Sequence, residues 1–184
     1  MLSADTRQLC DRFADIIDYP GASLGESATA CLDLLNGVSG SVAPMRTFTA
    51  FTRDRSAAEM EELYTRTFDL TAATTLHIGY HLFGETPKRS AFLVRLEEAF
   101  ESDGFSSGNE LADHLCVLLR FFNVASDPEF VAPLVDECVL PVLETMEKAL
   151  PEENGGYRPA VRSLRLFMRH LHRTLEKEGG PRHG

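Results

Sequence analysis

Apolar positions recur at three- and four-residue steps along almost the whole chain, the periodicity of helices that bury one face. The first repeat carries Leu9, Phe13, Ile16 and Ile17, with Ser3 placed to cap it and Tyr19-Pro20-Gly21 to end it near Asp18. A second runs over about Glu26 to Asn36 with Ala28, Cys31, Leu32 and Leu35 inward, stopping at Asn36-Gly37. Met45, Phe48 and Phe51 mark a short third helix. Ser56 and Glu59 form a capping-box pattern opening a fourth, through Met60, Leu63 and Tyr64. A central helix is predicted from Asp69 or Thr71, with Ala73, Leu76, Tyr80 and Phe83 as its stripe and Gly84 as its stop.

Thr86-Pro87 is an N-cap followed by proline at the first helical position, opening a helix through Phe92, Leu93, Leu96 and Phe100. After the loop Asp103 to Gly108, Leu111, Leu115, Leu118 and Phe122 make the next seam. Asp127-Pro128 starts another helix, which Pro141 is expected to break or kink. Asn154-Gly155-Gly156 reads as a turn before a last helix carrying Val161, Leu164, Met168, Leu171 and Leu175. No segment alternates with β-branched enrichment, so no strand is predicted. The expectation is an all-α bundle of about eight or nine helices, one domain over residues 1–178, with a disordered tail at 179–184.

Composition narrows the function. A formal net charge of -10 disfavours a nucleic-acid or anionic-membrane partner, since phosphates demand a basic face. The charge is split: residues 1–157 hold 26 acidic against 11 basic side chains, and residues 158–184 hold 2 against 7. An acidic body suits a cationic peptide. The four cysteines are scattered without a CxxC pair and read as buried apolar residues of a reduced, cytoplasmic protein. The N-terminus lacks the apolar run of a secretory signal, and no stretch is long and apolar enough to insert in a membrane.

Two stretches hold candidate chemistry: Tyr64 to Gly84, with His77 and His81, and Glu110 to Leu115, with Asp113 and His114. On a helix the two histidines would share a face, as metal-ligating histidines do. That spacing allows a small all-α metal-dependent hydrolase using His77, His81, Asp113 and His114. It lacks HExxH and the di-iron carboxylate pattern, and histidines bonded across a bundle are the commoner outcome. Glu110, Asp113 and His114 are expected off the apolar seam, facing solvent or a groove. They fit an acid/base pair, a seat for arginines, or plain N-terminal acids favoured by the helix dipole. In the last helix Arg162, Arg165, Arg169 and Arg173 form a basic face, solvated or paired with the acidic body. No phosphate-binding glycine loop or nucleophile elbow is present.

Three boxes carry a family resemblance: Tyr64-Thr65-Arg66-Thr67-Phe68-Asp69, His81-Leu82-Phe83-Gly84-Glu85-Thr86 and Glu110-Leu111-Ala112-Asp113-His114-Leu115. In order and spacing the chain resembles the NarJ-type chaperones of respiratory nitrate reductase, its delta subunit, among the TorD-like redox-enzyme maturation proteins. Thr86 stands where serine is usual, Ser90 where glycine is expected and Ala112 where proline is usual. The resemblance implies a cytoplasmic, non-catalytic chaperone without a cofactor or metal of its own. Such a protein binds the N-terminal, twin-arginine-like segment of the apo catalytic (alpha) subunit and assists molybdenum cofactor insertion before membrane assembly. It also admits contact with cofactor-delivery proteins, and a monomer or weak dimer. The expected peptide-binding residues are Tyr64, Phe68, Asp69, His77, His81, Glu110, Asp113 and His114. A non-catalytic helical adaptor, with the boxes as fold determinants only, is the other alternative.

Overall fold

Local capping signals set where several helices begin. In the computed structural model, which describes residues 2–152 and 156–179, helix α1 spans Ala4–Ile17. Its cap is Ser3, whose hydroxyl accepts the Thr6 N–H at 3.2 Å. Helices α2 (Leu24–Leu34) and α3 (Val42–Arg53) follow. Helix α4 (Ala57–Tyr64) opens on the complete Ser56/Glu59 capping box and widens into a π-helical turn over Thr65–Asp69. Next come α5 (Ile78–Phe83), α6 (Pro87–Ser102) and α7 (Leu115–Val124). Helix α8 (Pro128–Pro133) passes through a π-helical turn, Leu134–Val139, into α9 (Leu140–Ala149), so the two form one continuous rod. With α10 (Arg158–Gly179) the described residues give nine helical rods and no strand beyond one isolated bridge.

One core serves them all. Its spine is α7, which buries Leu115 to Leu119, Phe121 and Phe122 and has little polar face to give away. Helix α1 packs on α7 and turns Phe13 onto Phe167 of α10, ring centroids 5.2 Å apart and nearly parallel. Helix α10 buries Val161, Leu164, Phe167, Met168, Leu171 and Leu175, the predicted stripe with Phe167 added. Its basic face is partly committed: Arg162 and Arg165 each donate to Glu147 at 2.7 Å, while Arg169 and Arg173 are exposed. Burial pushes the Glu147 carboxyl up, but the two arginines outweigh it and hold it below the usual range. Where α3 meets α10, Ser41 and Ser163 exchange hydroxyl-to-carbonyl bonds at 3.2 and 2.8 Å.

Several expectations need correction. No central helix starts at Asp69 or Thr71. Residues 72–74 make a single 3₁₀ turn, the chain then extends, and α5 begins only at Ile78, with Ala73 exposed. Threonines explain part of this: the Thr74 hydroxyl donates to the Thr67 carbonyl, a local bond that competes with helix propagation. Likewise Leu111 lies outside any helix, and α7 starts at Leu115. Pro141 does not break the α8–α9 rod. It sits in the first turn of α9, and the π-helical turn just before it makes room for the ring where the carbonyl four residues back would clash. Of the cysteines, Cys10, Cys31 and Cys116 are buried and Cys138 half-buried, all unpaired; burial pushes the Cys31 thiol up to about 12. Gly179 ends α10 rather than opening a tail; residues 180–184, and Asn154-Gly155 of the expected turn, lie outside the described residues.

Because Phe167 fills the contact between α1 and α10, Phe167→Ala is expected to lose about 3–5 kcal/mol of unfolding free energy, measured by urea titration.

Candidate functional site

Two extended segments meet in the middle of the molecule and start two helices from one point. The Leu115 N–H donates to the Leu76 carbonyl at 2.8 Å, and the Ile78 N–H to the Asp113 carbonyl at 2.9 Å. These bonds pair His77 with His114 as an isolated antiparallel bridge, and each histidine is the residue before its helix, α5 or α7. The Asp113 side chain is thereby carried inside, 0% exposed, against the first turn of α5. A Cβ on Gly79 would sit 2.7 Å from Asp113 Oδ2, so only glycine leaves the carboxylate its place.

The buried charge is met by Arg89, from the first turn of α6. Its Nε donates to Oδ2 at 2.9 Å and an Nη to Oδ1 at 3.2 Å, a bidentate pair, and His77 Nδ1 donates to Oδ1 at 3.2 Å. The guanidinium also lies 5.9 Å from the Tyr80 ring centre. Burial alone would raise the Asp113 carboxyl, but the bonds from His77 and Arg89 and the Arg89 charge win and lower it. His114 stands edge-on to His77 at 5.2 Å, and its buried Nδ1 has no hydrogen-bond partner among the described residues. Burial, then the neighbouring His77, lowers its pKa and keeps it neutral. His81 Nε2 donates to the Thr75 carbonyl at 2.7 Å.

His77, Arg89 and Asp113 bond one another, His81 bonds a backbone carbonyl, and His114 Nδ1 bonds none of the described residues. His77, His81, Asp113 and His114 do not converge on a common point, and no group of three or more His, Cys, Asp or Glu among the described residues is placed to hold a metal ion. Glu110, Asp113 and His114 were expected on one solvent-facing side of a helix. They lie instead in the turn before α7, with Glu110 exposed and the other two inside. Tyr64 and Phe68 are interior too, packed edge-on against each other at 5.2 Å and against Tyr157 at 6.1 and 4.9 Å; Asp69 is exposed. Arg89 is the residue that sequence reasoning missed. A signal existed: a cation in a helix's first turn opposes the helix dipole and calls for an anion nearby.

Beside this cluster runs a groove of about 680 Å³ between α6 and the segment 104–112. Leu93, Val94, Phe105 and Leu111 supply apolar surface, and Glu97, Glu98, Glu101 and Glu110 supply carboxylates; no basic side chain among the described residues lines it. Val94 and Leu111 are 57% and 47% exposed, large apolar groups left facing outward. The Arg89–Asp113 pair ties the two walls at one end. At the other, Phe105 of the far wall packs edge-on against Phe100 of α6 at 5.1 Å.

Removing one partner of a buried pair strands the other. Asp113→Ala is expected to cost about 3–5 kcal/mol by urea unfolding, leaving Arg89 without its anion. The pH dependence follows from the two lowered pKa values. Free histidine titrates near ~6.5, so the stability that neutral His114 contributes is complete above that pH and lost as pH falls towards its lower folded value. The Asp113 contribution persists lower, present above about 3.9 and lost below it. Thermal melts should show His114→Phe losing less stability than the wild type on acidification from about pH 7 to 5, with the two curves parallel above that range.

No curated protein sequence matches this chain. Among solved structures, a protein described as a redox enzyme maturation protein from Archaeoglobus fulgidus superimposes with a TM-score of 0.58 at 16% identity, over 96% of this chain and 96% of that one, a likeness of fold. The family model of the nitrate reductase delta subunit matches residues 33–152, a span that contains all three boxes, the Arg89–Asp113 pair and both walls of the groove, and the chain therefore belongs to the nitrate reductase delta subunit family.

Proposed function

We propose that this chain is a dedicated maturation chaperone for the catalytic subunit of a molybdoenzyme, in the first place a respiratory nitrate reductase. It binds the N-terminal segment of the apo-subunit, holds it while the molybdenum cofactor is inserted, and releases it for membrane assembly. It acts in the cytoplasm as one all-helical domain, without catalysis. The observation that carries this reading is the family match over residues 33–152. The geometry supports it in two ways. Asp113 and His77 are engaged in an internal cluster with Arg89, and next to it an open groove offers apolar surface and carboxylates to a basic, apolar segment. No helix of the described residues is long and apolar enough to cross a membrane, consistent with a partner that meets its client before docking. The eight residues expected to touch the peptide divide by position: Glu110 and Asp69 are exposed, His77 and His81 are half-buried, and Tyr64, Phe68, Asp113 and His114 are buried.

Co-expression with the apo catalytic subunit tests it. The subunit is expected to co-purify with the chain and to gain molybdenum by metal analysis, and to stay largely cofactor-free in a host lacking it. Calorimetric titration with the subunit's N-terminal peptide should show saturable binding that weakens as salt rises. Absence of binding to both peptide and whole apo-subunit would sink the reading.

A further inference from the structure

A second concavity, of about 320 Å³, lies where the end of α9 and the start of α10 meet the Tyr64–Asp69 box. It shares no residue with the groove along α6. Leu63, Ala149, Leu150 and Pro151 give it apolar walls, and Arg66 and Arg158 give it two cations. In a chain of net charge -10, no carboxylate among the described residues lines it. Arg66 and Thr67 reach it from the π-helical turn Thr65–Asp69, an irregularity frequent at functional sites.

Its donors are only partly engaged. The hydroxyls of Thr67 and Thr71 donate to the carbonyls of Leu63 and Arg66 at 2.6 and 2.9 Å. The exposed Arg66 guanidinium has no partner among the described residues. Arg158 donates one Nη to the Leu150 carbonyl at 2.9 Å and the other to Glu152 at 3.3 Å, and a guanidinium carries more N–H donors than these two bonds use. The Glu152 side chain is 89% exposed, so its hold on Arg158 is that of a solvated ion pair. Tyr157 lines the pocket just before α10, whose N-terminal dipole favours negative charge. Its hydroxyl is buried and has no hydrogen-bond partner among the described residues, although buried hydroxyls are ordinarily bonded.

We infer that this pocket binds a small organic oxyanion, a carboxylate or phosphate monoester with an apolar body. Arg66 and Arg158 hold the charged head, the Tyr157 hydroxyl is a further donor, and Leu63 and Leu150 cover the body. Two guanidiniums on one apolar concavity repel each other, and an oxyanion set between them reverses that balance. Their planar forks match its geometry. The apolar walls favour an organic anion over inorganic phosphate. The volume stands at the small end of the ~300–1,000 Å³ typical of small-molecule sites, which suits a compact ligand rather than a folded segment. Glu152 competes for Arg158 from the solvent side. The inference does not rest on the chaperone reading, since it uses none of the groove and needs no client.

The test uses the full chain with phenyl phosphate and with benzoate at low salt, read by calorimetry and thermal melts. At least one of the two is expected to bind saturably and raise the melting temperature. Inorganic phosphate should bind more weakly, and neutral benzamide not at all. Arg66→Gln is expected to weaken binding by about tenfold or more, as loss of a charge-assisted bond implies. Tyr157→Phe should also weaken it, while the unliganded melting temperature stays the same or rises, because the change removes only an unpartnered hydroxyl. Glu152→Gln, which removes the competing carboxylate, should tighten binding about two- to fivefold. Arg46→Gln makes the same charge change at an exposed position of α3 outside the pocket, and should bind like the wild type. No saturable binding of either aromatic oxyanion would overturn the inference. So would benzamide binding as well as benzoate, equal losses in Arg66→Gln and Arg46→Gln, or undiminished binding by Tyr157→Phe. With no client peptide present, each of these failures leaves the chaperone reading standing.

Discussion

The pairing of Arg89 with Asp113 is the interaction on which the site depends. A carboxylate fully removed from water is costly, and only a close, bidentate, fully bonded partner offsets the penalty. Here the partner comes from α6, the carboxylate from the turn before α7, and the space from Gly79 of α5, so one ion pair fixes three elements. Helix α6 needs that anchor. It buries only Leu96 and Phe100 along 16 residues, and α5 is its main neighbour. An aromatic contact at one end and an ion pair at the other hold open a groove whose walls would otherwise lack a fixed spacing.

What the sequence made legible was local. Ser3, the Ser56/Glu59 box, Thr86-Pro87, Asp127-Pro128 and Gly84, with its positive φ, act over three or four residues and were readable as caps and stops. The α10 stripe was equally plain, because a long amphipathic helix repeats its message several times. The stretch before α5 misled because its fate is decided elsewhere. Leu76 and Ile78 give their backbone bonds to Leu115 and Asp113, more than thirty positions downstream, and periodicity carries no trace of such a pairing. Asp113 was misplaced for the same reason: nothing near it in sequence announces the guanidinium 24 residues upstream that allows its burial.

The three boxes were legible as a resemblance before their roles were. Tyr64 and Phe68 turn out to be core aromatics around Tyr157, and Asp113 and His114 the internal brace. The open surface combines Val94, Glu97, Glu98 and Glu101, which lie outside the boxes, with Glu110 and Leu111 of the third box. Within the boxes, buried positions hold the shape and these two exposed ones line the groove. Substitution at Tyr64, Phe68, Asp113 or His114 would therefore act first through stability.

An exposed apolar strip carries a hazard, because it invites another copy of the chain. Ringing Val94 and Leu111 with four carboxylates changes that balance. The body of the molecule is acidic, so a second copy approaching through most of its surface meets like charge and is held off. A basic segment meets attraction at the same place, which raises its encounter rate and fixes its orientation before apolar contact forms. Discrimination then comes as much from whom the rim repels as from whom the floor binds. The basic face of α10 is the one part of the chain able to evade that repulsion, and Glu147 draws two of its arginines, Arg162 and Arg165, into an internal pair. One carboxylate against two guanidiniums offsets that face only in part, and Arg169 and Arg173 remain its exposed cations.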